Sequence, residues 1–240
     1  MWEMGVMSKF LVISGGSRGI GLATAAHFLE QGYQVINLSR KQPPIESVIH
    51  LPVDMTHIHW LDSVAATLKT ALADADHIVL VHNAAMMVKD SAGHIDAASF
   101  QAVLQLNVLA AAQLNALLLP LMKPGSSILY VSSTLGEKAV SQTSSYVTSK
   151  HAQLGLMKSN CQDLFGTGIH TAAVCPGFTD TEMLREHVGN DQGALDYFAT
   201  QNAFGRLLQP QEIADTLWFC SQTPAINGAV IHANLGQKEN

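Results

Sequence analysis

The chain has 240 residues, 48% hydrophobic and 13% charged, with a formal net charge of −6. That length suits one α/β domain with a large core, and the acidic balance argues against a nucleic-acid partner, which needs clustered lysine and arginine. Three well-separated cysteines, Cys161, Cys175 and Cys220, argue against a disulfide framework and for a reducing, cytoplasmic setting. In chain order, Phe10–Ser14 is an apolar, β-rich run that predicts a buried strand. A glycine loop follows at once, and then an alanine-rich helical pattern over Leu22–Gln31 closed by Gly32. Further strand-like runs lie at Gln34–Leu38, Val48–Val53, Ile78–Val81, Ser127–Val131, Thr171–Val174 and Ala229–His232. Most are separated by helical stretches, which predicts a doubly wound, Rossmann-type parallel sheet of about seven strands, with helices on both faces, in a single domain over 1–240. Only Lys41–Ser47, with Pro43 and Pro44, join the second and third strands, too short a link for the usual crossover helix. The apolar stretch Ala102–Met122 is broken by Gln105, Asn107, Gln113 and Asn115. It therefore reads as an interior helix that also meets another subunit, and not as a membrane span.

The loop Ser14-Gly15-Gly16-Ser17-Arg18-Gly19-Ile20-Gly21 sits between strand and helix. Its glycines allow a tight turn and close approach to a pyrophosphate, and the helix N-terminus presents unpaired N–H groups to the anion. Tyr146 and Lys150, four apart, stack on one face of a helix predicted over Ser144–Cys161, with Ser144 as its N-cap candidate and Ser133 thirteen residues upstream of Tyr146. A phenol ionises near pH ~10, and a nearby ammonium favours the phenolate. Bringing it to about 7 takes roughly 4 kcal/mol. Such a group trades a proton with an alcohol or carbonyl oxygen, and Ser133 can hydrogen-bond the same oxygen.

The chain resembles the short-chain dehydrogenase/reductase family from about Phe10 to Leu235. The loop is similar to that family's T-G-x-x-x-G-x-G, with Ser14 in place of threonine. Asp54, followed by Met55, resembles the acidic residue placed against the adenine, and His82-Asn83-Ala84-Ala85 resembles N-N-A-G. Ser133, Tyr146 and Lys150 match the catalytic set. Pro176-Gly177-Phe178-Thr179-Asp180-Thr181 is similar to the segment that holds the nicotinamide carboxamide. The resemblance implies hydride transfer between a nicotinamide cofactor and a carbonyl or alcohol. Tyr146 would be the acid/base, Lys150 would acidify it and bind the nicotinamide ribose, and Ser133 would hold the substrate oxygen. Asn107 would brace a water passing protons to Lys150, or else be a buried helix amide bonded to backbone. It also implies a homodimer or homotetramer built on the helices around Gln101–Leu119 and Ser145–Leu164. Departures from the pattern are Ala85 for a glycine and Asn234-Leu235-Gly236 near an expected D-G-G.

At the end of the second strand stand Ser39 and Arg40 where a carboxylate would favour a free ribose hydroxyl, and Arg18 lies inside the loop. Two guanidinium groups suit a 2′-phosphate, which predicts NADP(H) over NAD(H). The segment 178–204 reads as a lid over a pocket walled by Met86, Met87, Leu135, Val140, Phe178 and Met183. His57-x-His59 and His82 lack a third ligand at a metal-binding spacing. Two rival functions share the scaffold: a cofactor-binding regulator with little turnover, and an epimerase or dehydratase.

Overall fold

The computed structural model describes residues 7–238. Seven parallel strands form one sheet: β1 Lys9–Ser14, β2 Gln34–Ser39, β3 Ile49–Pro52, β4 His77–His82, β5 Ser127–Val131, β6 His170–Pro176 and β7 Ala229–Ala233, in the order β3-β2-β1-β4-β5-β6-β7. Alternate β1 residues point to opposite faces, as the two-residue period of a strand requires. Phe10 and Val12 join Ile36, Leu80, Leu114, Tyr130 and Met157 on one side. Leu11 and Ile13 join Phe28, Val79, Leu129, Ile213 and Leu217 on the other. Both faces are therefore apolar, and helices cover both.

Helices α1 (Gly19–Glu30) and α8 (Pro210–Gln222) pack together on the second face. There Phe28 meets Trp218 edge-on at 5.2 Å. The first face is covered by α2 (Ala65–Ala71), by a helix whose leading part α3 (Ala97–Leu104) packs on α5 and whose second part α4 (Ala110–Leu118) packs on the sheet, and by the 20-residue α5 (Ser144–Asp163). Helix α5 begins at Ser144, with Thr143 and not Ser144 in the cap position. Residues 40–48 form no helix, so β3 is a short edge strand that ends on Pro52.

A π turn at Gln105–Leu109 joins α3 to α4. The resulting helix over Ala97–Leu121 is long and apolar enough to cross a bilayer, but its polar side chains are bonded within the protein. Gln105 and Gln113 reach the Met55 and Ile58 carbonyls, and Asn115 bonds His82 and Tyr130. That pattern is a core helix with specified partners. Two short helices, α6 (Glu182–His187) and α7 (Gln192–Ala199), follow β6.

The strand order reverses between β1 and β4, which opens a crevice at their carboxyl ends. Ser14 and Asn83 lie there.

Candidate active site

The glycine loop is held by the strand ends around it. Gly15 sits at φ +73° and donates its N–H to the Leu38 carbonyl at 2.8 Å. A Cβ at Gly15 would lie 2.9 Å from the Ala84 Cα, and one at Gly21 would lie 2.1 Å from the Gly15 carbonyl oxygen. Ser14 Oγ accepts the N–H groups of Asn83 and Ala84, both at 3.1 Å. Asn83 Nδ2 donates to the Ser14 and Gly15 carbonyls at 3.2 and 2.9 Å. Asn37 accepts Gly16 N–H at 2.7 Å and donates to Ser39 Oγ, whose own proton goes to the Lys41 carbonyl at 2.7 Å. Ser39 and Asn83 thus border the cleft, but their side chains brace the loop. At α1 the N-cap, Arg18, makes no side-chain capping bond, so no side chain competes for the first-turn N–H groups, which suit an anion.

Beyond the loop, Arg18, Arg40 and Lys41 line the cleft together with Asp54, whose carboxylate accepts both the N–H and the hydroxyl of Thr56. Arg18 is not free. Its guanidinium pairs with Glu186 of α6 at 2.7 Å, which ties the glycine loop to the segment after β6.

The chemical end of the cleft is built where β5 runs out and α5 begins. Ser133 and Tyr146 line the same wall of the cleft, and the Ser133 hydroxyl accepts the Leu135 N–H at 3.1 Å. Burial pushes the Tyr146 phenol up to about 12; the nearby Ser133 side chain opposes this and Cys175 adds to it. Burial pushes the Lys150 amine down to about 8, with Cys175 opposing. The expected acidification of Tyr146 by Lys150 is not what this structure displays. The amine lies 5.6 Å from the Tyr146 ring centroid and donates to the Val131 carbonyl at 2.8 Å and to Gln153 Oε1 at 3.2 Å. With both groups buried, desolvation favours the neutral form of each.

Asn107 lies in the π turn, behind the cleft wall. Its carboxamide clasps the Met86 backbone, accepting the N–H at 2.9 Å and donating to the carbonyl at 3.0 Å, and also donates to Ser149 Oγ at 2.9 Å. Of its two expected roles, the backbone brace is the one displayed.

The cleft has a volume of about 870 Å³, large for a small-molecule site and ample for an extended ligand. It is lined by every cofactor-binding residue expected from the sequence except Gly21: Gly15, Ser17, Arg18, Gly19, Ile20, Ser39, Arg40, Asp54, Met55, Asn83, Ala84, Ala85, Tyr146, Lys150, Pro176, Gly177, Thr179 and Thr181. Gly21 acts instead through the close helix–loop contact described above. Ser133, Leu135, Val140, Phe178 and Met183 line the same cleft. At the rim Phe178 stacks on Phe198 with centroids 4.2 Å apart. Gln237 and Lys238 also line the cleft. The segment that carries them is bonded to residues 201–203, through Lys238 N–H to Gln201 and Ala203 N–H to Leu235. Gln153, Glu186, Gln237 and Lys238 were not singled out from the sequence. Only Gln153, one helical turn after Lys150, carried a local signal.

A cleft of this volume lined by a glycine loop and helix N-terminus, by Arg18, Arg40 and Lys41, and by a Ser–Tyr–Lys set suits a nicotinamide dinucleotide. A family model described as enoyl-(acyl carrier protein) reductase matches residues 15–238. The chain belongs to the short-chain dehydrogenase/reductase family. Like the family, it is an NAD(P)-dependent oxidoreductase of the class acting on carbonyl or alcohol groups. Among curated relatives, it is 28% identical to acetoacetyl-CoA reductase of Shinella zoogloeoides, over 96% of this chain and 99% of that one. It is 30% identical to dehydrogenase/reductase SDR family member 6 of Danio rerio, over 86% of each. A crystal structure of a short-chain dehydrogenase family protein from Francisella tularensis superposes with a TM-score of 0.87 at 28% identity, covering 96% of this chain and 98% of that one.

Proposed function

We propose that the protein is an NADP(H)-preferring reductase of small carbonyl compounds, reversible toward the alcohol, with Tyr146 as the acid/base. The carrying observation is that Ser133, Tyr146 and Lys150 come together on one wall of the cleft, with the Lys150 amine buried. When bound, the nicotinamide supplies or takes up the hydride. The chain's own residues hold and protonate. Loop and α1 N–H groups would hold the pyrophosphate, and Thr179 and Thr181 would border the carboxamide. Lys150 keeps one N–H without a partner among the described residues and would offer it to the nicotinamide ribose. Arg18, Arg40 and Lys41, with no carboxylate at the end of β2, favour a 2′-phosphate; Glu186 weighs against it by occupying Arg18.

With its phenol at about 12, Tyr146 is protonated at neutral pH, the state that donates a proton to the oxygen of a carbonyl undergoing reduction. Ser133 would share that oxygen and fix its position. Leu135, Val140, Phe178 and Met183 make an apolar to mixed wall, and the relatives' names include an acetoacetyl-CoA reductase. We assign residues 178–204 as a lid that closes over the substrate, and the outer faces of α3–α4 and α5 as the contact of a homodimer or homotetramer.

An NADPH-oxidation screen over diverse carbonyl compounds, repeated with NADH, tests this reading. Turnover should appear with NADPH at higher efficiency, and Tyr146→Phe should lose at least ~100-fold. Near-normal turnover in Tyr146→Phe would remove the acid/base assignment. Equal or better efficiency with NADH would remove the cofactor preference.

A further inference from the structure

Between the Lys150 amine and the backbone of the π turn stands a single carboxamide. Gln153 Oε1 accepts from Lys150 Nζ at 3.2 Å, and Gln153 Nε2 donates to the Asn107 carbonyl at 3.3 Å. Gln153 is 1% exposed. We propose that Gln153 is a positioning residue for Lys150, and that by filling the place where a water would otherwise bridge the amine to Asn107 it confines proton exchange at Lys150 to the cleft. This rests on the reading of Lys150 as part of the chemical site.

The carboxamide is oriented by its two neighbours. Its oxygen only accepts and its nitrogen only donates. The reversed orientation would set N–H groups against the amine and an oxygen against the Asn107 carbonyl, which loses both bonds inside the core. The carbonyl that Gln153 meets belongs to the π turn, whose backbone bonds run i→i+5. The amine is thus tied to β5 through Val131 and to the α3–α4 helix through Gln153, and its ordinary flexibility is removed.

A proton cannot pass along this bridge as it does along water. Transfer through an amide must protonate its oxygen and strip its nitrogen, leaving the high-energy imidic acid. A cavity of about 10 Å³ lies behind, lined by Ser14, His82, Asn107 and Gln153 but not by Lys150. It is at the lower limit for one water, and a molecule there would meet Gln153 and not the amine. The titratable groups facing the amine are Tyr146 on its own helix and Cys175 on β6, with Glu137 beyond Cys175.

The test uses the full-length protein, with Gln153→Met to preserve volume and Gln153→Glu to place a carboxylate against the amine. In 13C-lysine-labelled protein without cofactor, the Lys150 Cε signal is assigned by its loss in Lys150→Met and followed against pH. Its titration should move up in Gln153→Glu and down in Gln153→Met. The pH dependence of kcat should move in the same two directions, and kcat of Gln153→Met should fall about tenfold. A merely structural Gln153 would change thermal stability and leave both titrations in place, which overturns the proposal. Tyr146→Phe, assayed in parallel, separates the two readings: normal turnover there removes the acid/base role of Tyr146 and leaves the lysine titrations to decide Gln153. If Gln153→Met does not fold, an unmoved Lys150 titration in Gln153→Glu is sufficient to overturn it.

Discussion

Lys150 is held at a cost to stability, and removing it exposes that cost. Its amine is fully buried, with a folded value of about 8 against an ordinary 10.5. Below pH 8 the charged form is present in both folded and unfolded chains, and the difference corresponds to about 3 kcal/mol of destabilisation. Lys150→Met removes that penalty but strands two acceptors, Val131 O and Gln153 Oε1, at roughly 1 kcal/mol each. At pH 7 the variant should therefore be about 1 kcal/mol more stable than the parent, while losing activity. Between pH 8 and 10.5 the unfolded parent binds more protons than the folded one, so the parent's stability rises with pH across that window. From pH 7 to just below 10 the difference should swing by about 2 kcal/mol in the parent's favour. Tyr146 and Cys220 also titrate at alkaline pH, but they are present in both proteins and cancel. Urea unfolding midpoints of both proteins at pH 7, 8, 9 and 9.8 measure the swing. A pH-independent difference, or a variant several kcal/mol less stable at pH 7, would refute the picture of a desolvated amine.

His82 gives the acid counterpart: burial holds it at about 4, below the ordinary 6.5, so stability should fall as pH drops from 6.5 toward 4, by about 2 kcal/mol between pH 7 and 5. His82→Gln should flatten that acid limb in urea titrations. Gly21→Ala drives a Cβ to 2.1 Å from the Gly15 carbonyl oxygen; overpacking of this kind costs about 1–3 kcal/mol, or a melting temperature lower by roughly 2–12 °C, readable by calorimetry. Glu186→Gln frees Arg18 from its 2.7 Å pair; the dissociation constant for NADPH, measured by fluorescence, should fall several-fold while that for NADH barely moves, and equal changes in both would show that Arg18 does not meet the 2′-phosphate.

All seven strands were legible as strand-like runs, the inner ones most plainly, because a parallel strand covered on both faces has no polar side to disguise it. The missing helix between β2 and β3 was legible from chain length and two prolines. The glycine loop and the Ser133, Tyr146 and Lys150 set were legible because each is a short-range pattern with a chemical reason. What escaped notice depends on elements distant in sequence meeting in space. Arg18 is 168 residues from Glu186, and the side chain of Ser39 turns inward because Asn37 and Lys41 claim it. The protonation of Tyr146 also escaped, since spacing along a helix gives the distance between two groups but not the water removed from around them.

The long apolar helix Ala97–Leu121 has a consequence for how the chain is made. Its partners on α5, Ser149 and Gln153, lie about thirty residues or more beyond its end. While the ribosome is still synthesising that stretch, the nascent chain presents an oily rod without its cover. Until α5 emerges, that apolar surface lacks its α5 partners, and transiently exposed apolar surface of this kind favours aggregation.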